Sequence, residues 1–135
     1  MNIRKLQESD YKILEKWWKV WDWPPIEKDF LPENGTGGLM VQAKDGTPIV
    51  AGFLYMTNSK AVLLEWIISN PEYREPDRDA AITSLIMGAE AVVLNADKKY
   101  MFTIGRNQKL INKHKELGWQ VDKKPSYEIV KNLKQ

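Results

Sequence analysis

Asn107-Gln-Lys-Leu-Ile-Asn-Lys-His-Lys-Glu-Leu-Gly-Trp119 carries its own start and stop signals. Asparagine is a favoured N-cap because its side-chain oxygen accepts one of the orphan amides of the first turn. Leu110, Ile111, His114 and Leu117 recur at the three- and four-residue spacing of an apolar helix stripe. Gly118 stands where a left-handed residue ends a helix, and Trp119 opens the next strand. The preceding run, Tyr100-Met-Phe-Thr-Ile104, is strand-like. The segment therefore reads as strand, capped helix, glycine-aromatic, strand.

Working outward, Asn2–Gln7 reads as a short strand. Ser9 is a helix cap with Asp10 in the first turn, and Leu14, Trp17, Trp18 and Trp21 recur at helical spacing. Pro24 and Pro25 end that helix. Residues 24–38 form a long connection that has room for one helical turn near Ile26–Phe30. Leu39–Ala43 is a strand, Asp45-Gly46 a hairpin turn, Pro48–Met56 the returning strand and Asn58-Ser59 the next turn. Ala61–Ser69 is nearly all apolar, as a central strand covered on both faces would be. Asp77–Ala96 is the longest helix, with Ile82, Leu85, Ile86, Ala89 and Val93 in register. After the Asn107 helix, Trp119–Asp122 and Tyr127–Lys131 read as two final strands around a Lys123-Lys-Pro-Ser turn.

The order and the Asn107–Trp119 segment resemble the GNAT superfamily of acyl-CoA N-acyltransferases, which ends in roughly N-x-x-A-I-x-L-Y-E-K-L-G-F. The match falls on Asn107, Ile111, Lys115 to Leu117, Gly118 and Trp119. Leu64-Glu-Trp-Ile-Ile-Ser-Asn-Pro-Glu-Tyr-Arg74 looks like the family's fourth strand and the turn before its cofactor loop. The resemblance covers essentially the whole chain and is nearest to small bacterial and phage acetyltransferases. It implies an α/β GNAT fold in a single domain, 1–135. It implies a mixed, mostly antiparallel sheet of six or seven strands flanked by about four helices, with splayed central strands. The Ala61 and Tyr100 strands should be parallel neighbours.

Composition narrows the classes. The chain has no cysteine and one histidine, so thiolate chemistry and a structural zinc site are not expected. No apolar run approaches the ~20 residues that span a bilayer, and the polar N-terminus lacks a signal core; a cytoplasmic protein is expected. Net charge of +2 hides an asymmetry. Residues 1–97 hold 10 Lys/Arg and 15 Asp/Glu, and residues 98–135 hold 10 and 3, giving −5 and +7. The basic third fits either an anionic partner or a solvated lysine-rich face. No helix-turn-helix, RNP or zinc-finger pattern accompanies it, which argues against nucleic acid.

The resemblance also implies a chemistry: acetyl-CoA as cofactor and a small-molecule or peptide amine as acceptor. The family's loop into the long helix, R/Q-x-x-G-x-G/A, is matched by Arg78-Asp79-Ala80-Ala81-Ile82-Thr83. Helix-start amides and the positive dipole end would meet the pyrophosphate there. Both family glycines are replaced, by Ala81 and Thr83, and Asp77 and Asp79 add carboxylates that either cap the helix or repel phosphate. Arg106 and Lys109 are candidates for the coenzyme's 3′-phosphate, and Asn107 is a cap that also touches the coenzyme in this reading. Glu65 interrupts an apolar strand, where a carboxylate needs a reason. It either draws the proton from the amine or, by alternation, faces solvent or a lysine. Ile67 or Ile68 N–H would hold the thioester carbonyl. His114 replaces the family's acid, a tyrosine. It is either the acid for the departing thiolate, since histidine titrates near neutrality, or a packed core residue. Trp17 and Trp21 fit the core by spacing, whereas Trp18 and Trp23 are candidates to line the acceptor pocket. The replaced glycines and tyrosine leave a second reading open: a GNAT-fold binding or adaptor module without catalysis. The acceptor and the oligomeric state are not specified by the sequence.

Overall fold

The computed structural model describes residues 1–134, which form two compact units divided after Thr103. The first carries strands β1 (Asn2–Lys5), β2 (Gly38–Gln42), β3 (Pro48–Met56), β4 (Ala61–Ser69) and β5 (Tyr100–Phe102), with helices α1 (Asp10–Val20) and α2 (Arg78–Asn95). The second carries helix α3 (Gln108–Glu116). Short 3-10 turns at Lys28–Phe30 and Pro32–Gly35 fill the long connection between α1 and β2.

One sheet runs β1-β2-β3-β4-β5. The first four strands are an antiparallel meander, and β5 joins β4 in parallel. Turn chemistry sets the register. Asp45 Oδ1 accepts the Thr47 N–H at 3.0 Å, and Gly46 takes a φ of 91°. Thr57 Oγ1 donates to the Ala61 carbonyl at 2.6 Å at the next reversal.

Alternation along the strands divides the core in two. Met40, Ala51, Phe53 and Ile68 face one way and pack with Leu14, Trp17 and Trp18 of α1. On the other face, Leu64 and Leu85 of α2 close over Gly52. Leu85, Ile86, Ala89 and Val93 of α2 are all buried.

Helix α1 starts differently from expectation. Ser9 has a helical φ/ψ and makes no side-chain cap bond. Asp10 turns back instead, accepting the Gln7 N–H at 2.8 Å and both terminal nitrogens of Arg4. At its C-terminus Asp22 is left-handed (φ 61°), and the Trp23 N–H returns to the Trp18 carbonyl at 2.7 Å. This Schellman closure, ahead of Pro24, folds Trp23 back toward the sheet.

The described residues hold five strands and three α-helices, against the six or seven strands and four helices expected. The expected fourth helix is the 3-10 turn at Lys28–Phe30. Trp119–Asp122 and Tyr127–Lys131 have strand-like composition but form no ladder among the described residues, and Tyr127 and Ile129 are 90% and 92% exposed. Among the described residues, no helix is long and apolar enough to cross a membrane.

Candidate functional site

Strand β5 is short and pairs with β4 along its whole length. The pairing joins Ala61–Leu63 to Tyr100–Phe102, while β4 continues to Ser69. Just past the last pair, Glu65 sits 5% exposed, and the Thr103 hydroxyl donates to its Oε2 at 3.4 Å. The carboxylate thus lies just beyond the β4–β5 pairing and does not face solvent.

A bulge comes immediately after. Phe53 pairs with Glu65 and Ala51 with Ile68, so Trp66 and Ile67 together oppose Gly52. Trp66 absorbs the extra residue with φ at 58°. That region is costly for a bulky side chain. Gly52 stands opposite, and a Cβ there would lie 3.3 Å from side-chain atoms of each of Ile67, Leu64 and Leu85, a tight fit. The bulge also sorts the amides. Asn70 N–H donates to the Ile49 carbonyl at 2.7 Å. Ladder alternation makes Ala51 and Ile68 the next bonded pair, so the Ile68 N–H belongs to β3. By the same alternation the Ile67 N–H points away from β3.

The start of α2 departs from its expected form. Asp77 makes no cap bond; its carboxylate accepts the Tyr73 hydroxyl at 2.7 Å. That hydrogen bond, with burial and the charges of Asp77 and Glu75, pushes the Tyr73 hydroxyl up to about 12. The Arg78 N–H closes on Glu75 at 3.1 Å and the Ala81 N–H on Asp77 at 3.0 Å. Ala81, Ile82 and Thr83 are therefore inside the hydrogen-bonded helix, with their amides committed to the preceding turn. The first-turn positions are Arg78, Asp79 and Ala80, and the Ala80 amide has no backbone partner among the described residues. The Arg78 side chain reaches back to Ser69 Oγ at 2.9 Å, tying the helix start to the end of β4.

Aromatic side chains gather on the α1 face beside the bulge. Trp66 meets Trp23 edge-to-face at 6.4 Å and Phe30 at 6.1 Å. Its Nε1 donates to the Tyr55 hydroxyl at 2.8 Å, which donates to the Phe30 carbonyl at 3.0 Å. Trp23 is half-buried here, packed against the core cluster. Trp18 is not: it is fully buried against Tyr11 in the α1 core. Trp21, placed in the core by spacing, is 37% exposed and donates to the Ser69 carbonyl. The buried stripe runs through Leu14, Trp17 and Trp18 and leaves Trp21 at its rim. Sequence reasoning does not single out Trp66 or Phe30; the signal for Trp66 is its adjacency to Glu65, and Phe30 has none.

In the second unit, Asn107 caps α3 as expected, accepting the Leu110 N–H at 3.2 Å. Gly118 takes φ 93°, and Trp119 N–H returns to the His114 carbonyl at 3.0 Å. His114 is 4% exposed, with Nδ1 2.8 Å from the Leu110 carbonyl and its ring edge-to-face with Trp119 at 4.7 Å. A carbonyl partner requires Nδ1 to carry the proton, so Nε2 carries one only in the imidazolium form. Arg106 is ion-paired with Glu128, and Lys109 is exposed.

No family model and no curated protein matches the sequence. Solved structures do. A probable acetyltransferase matches with a TM-score of 0.73 at 14% identity over 100% of both chains. The aminoglycoside 6′-N-acetyltransferase of Acinetobacter baumannii matches at 0.62 and 20% identity, covering 98% of this chain and 99% of its own. Rv2747 of Mycobacterium tuberculosis, solved in complex with CoA, matches at 0.62 and 13% identity over 85% of this chain and 70% of its own. With β5 parallel to β4, a bulged β4 and this match along its length, the chain has the fold of the GNAT-type acetyltransferases.

Proposed function

We infer that the chain is an N-acetyltransferase, a single acyltransferase domain over 1–135, that moves an acetyl group from acetyl-CoA to an amine. The observation that carries this reading is Glu65, buried in β4 one residue before the bulge. An acylation needs a group to take the amine's proton, a donor for the thioester oxygen and an acid for the thiolate. Glu65 takes the first role and the Ile67 N–H the second. His114 is assigned the third, as its imidazolium. Bound acetyl-CoA supplies the activated acyl group and a thiolate leaving group.

The residues fit the coenzyme in part. The uncapped start of α2 offers the Ala80 amide and the positive dipole end to a pyrophosphate. Arg78 would assist once released from Ser69; Asn107, Arg106 and Lys109 are also proposed as coenzyme-binding residues. The committed Ala81 amide and the carboxylates of Asp77 and Asp79 favour the second reading, a binding module that has lost catalysis.

Calorimetry with acetyl-CoA separates the two. Binding is expected, raising unfolding stability by about 2.7 kcal/mol at a hundredfold excess over Kd. No heat and no thermal shift at millimolar acetyl-CoA would refute acetyl transfer and leave the binding module.

A further inference from the structure

We propose that the outward face of α2 pairs with the same face of a second copy of this chain, the two helices running antiparallel about a two-fold axis at Met87. The pairing is independent of the acetyl-transfer reading.

Helix α2 is apolar on both sides. Leu85, Ile86, Ala89 and Val93 are buried on its inner side. The opposite side carries Ala80, Ser84, Met87, Ala91 and Leu94, in steps of four, three, four and three. That repeat keeps one stripe in line along a helix. Met87 is 56% exposed and Leu94 70%, and Ala80 and Ala91 are exposed with them. A helix with one face on a core ordinarily turns charge to water on the other. Helix α1 does so, with Lys12, Glu15, Lys16 and Lys19 exposed. Helix α2 has three charged side chains in 18 residues, Arg78, Asp79 and Glu90, and none of them is on the outer stripe. Strand β1 widens the apolar surface. Ile3 is 44% exposed, and its Cδ1 would lie 2.9 Å from a Cβ at Gly88; Met1 Sδ lies 4.0 Å from Ser84 Oγ.

The stripe is complementary to itself. Residues equally far from Met87 on either side match in size or polarity: Ala80 with Leu94, Thr83 with Ala91, Ser84 with Glu90, Asp79 with Asn95. A two-fold axis through Met87 sets each of these opposite its counterpart in the second copy, and no like charges within α2 meet. Leu94 of one copy then fills the space left over Ala80 of the other, and the small residues let the helices approach closely. The dipoles agree with this direction. The last turn of α2 has no basic residue, and an antiparallel neighbour brings its positive end there. A lipid surface fits the face less well, because interfacial helices flank their apolar side with Lys and Arg. The one basic side chain of α2, Arg78, is turned back to Ser69.

Size sets the strength. A helix of 18 residues is about 27 Å long and about 10 Å wide. With Met1 and Ile3 beside it, the two copies together cover an area near the ~1,000 Å² at which specific pairs become stable. The dimer is therefore expected to dissociate in the micromolar range.

Sedimentation of the full chain tests this. The mass should rise from 15.7 kDa toward twice that value as concentration increases. Met87→Glu places two carboxylates against each other at the axis and should weaken the dimer about tenfold or more. Met87 faces solvent in the single chain, so the variant keeps its fold, which circular dichroism and a thermal melt verify; Leu94→Glu, at the more exposed position, decides the matter if it does not. Direction is read by cross-linking, since the protein has no cysteine of its own. Under mild oxidation Met87→Cys should form a disulfide-linked dimer. Leu94→Cys should not, because antiparallel pairing holds the two copies of that position roughly 20 Å apart. A monomer at every concentration up to about 200 μM, well above the expected Kd, overturns the proposal. So does a dimer that both glutamate variants leave intact, or one that Leu94→Cys links as readily as Met87→Cys. A monomer that sediments with anionic lipid vesicles would assign the face to lipid and overturn it as well.

Discussion

Replacing Asp10 with alanine should remove about 3 kcal/mol of stability, a large part of what a domain of this size has. Asp10 is 1% exposed and holds three bonds: Arg4 Nη1 at 2.8 Å, Arg4 Nη2 at 2.9 Å and the Gln7 N–H at 2.8 Å. Arg4 Nε in turn donates to Gln42 Oε1 at 2.8 Å, so the network joins β1, β2 and the start of α1. Breaking a fully buried ion pair costs ~3–5 kcal/mol. Here the Arg4 side chain is 26% exposed, so water can solvate the abandoned guanidinium, and the loss falls at the low end. Burial pushes the Asp10 carboxyl up, but the Arg4 hydrogen bonds, the Gln7 N–H and the charge of Arg4 outweigh it and hold the group below its usual range. Such a carboxylate contributes its full stability above about pH 4, the unfolded value. The contribution is lost as pH falls through the lower, folded value. Urea unfolding monitored by tryptophan fluorescence, with Trp17 and Trp18 in the same core, reads this directly. The gap between wild type and Asp10→Asn should be widest near neutrality and should shrink in acid. A loss under about 1 kcal/mol, or a gap of constant size at all pH, would show that the pair behaves as a surface contact and refute the reasoning.

Glu65→Gln should lower thiol release by roughly 10²-fold or more while acetyl-CoA still binds; unchanged turnover would move the base elsewhere. His114→Phe should lower kcat by about 10²-fold with binding intact, and full activity would make the ring a packing element against Trp119. Asn107→Ala should cost the start of α3 about 1 kcal/mol, seen as faster hydrogen exchange at the Leu110 amide; unchanged protection there would mean the cap is dispensable.

The legible part of the sequence is the part encoded locally. Strands β3 and β4 fall at Pro48–Met56 and Ala61–Ser69, as their flanking turn residues indicate. The Asn107 cap and the Gly118 stop act within one turn and are equally legible. Pairing is not local. Tyr127–Lys131 has the composition of a strand, but a strand exists only where a partner offers its edge. The start of α2 escapes sequence reading for a related reason: which first-turn amides remain is settled by Glu75 and Asp77 closing on Arg78 and Ala81.

The bulge is the deepest case. Nothing in Leu64-Glu-Trp-Ile-Ile announces a left-handed tryptophan, a conformation that residue disfavours. Opposite it, on another strand, stands Gly52, where a Cβ would meet side-chain atoms of Ile67, Leu64 and Leu85 at 3.3 Å. The bulge thus sets against each other residues 14 positions apart, opposed only once β3 and β4 have paired. Glu65 is visible in the sequence because a carboxylate in an apolar run is locally anomalous. Trp66 is not, because a tryptophan there looks like ordinary core. The asymmetry has a physical basis: burial of charge is expensive enough to mark a sequence, whereas backbone strain leaves its mark only in the fold.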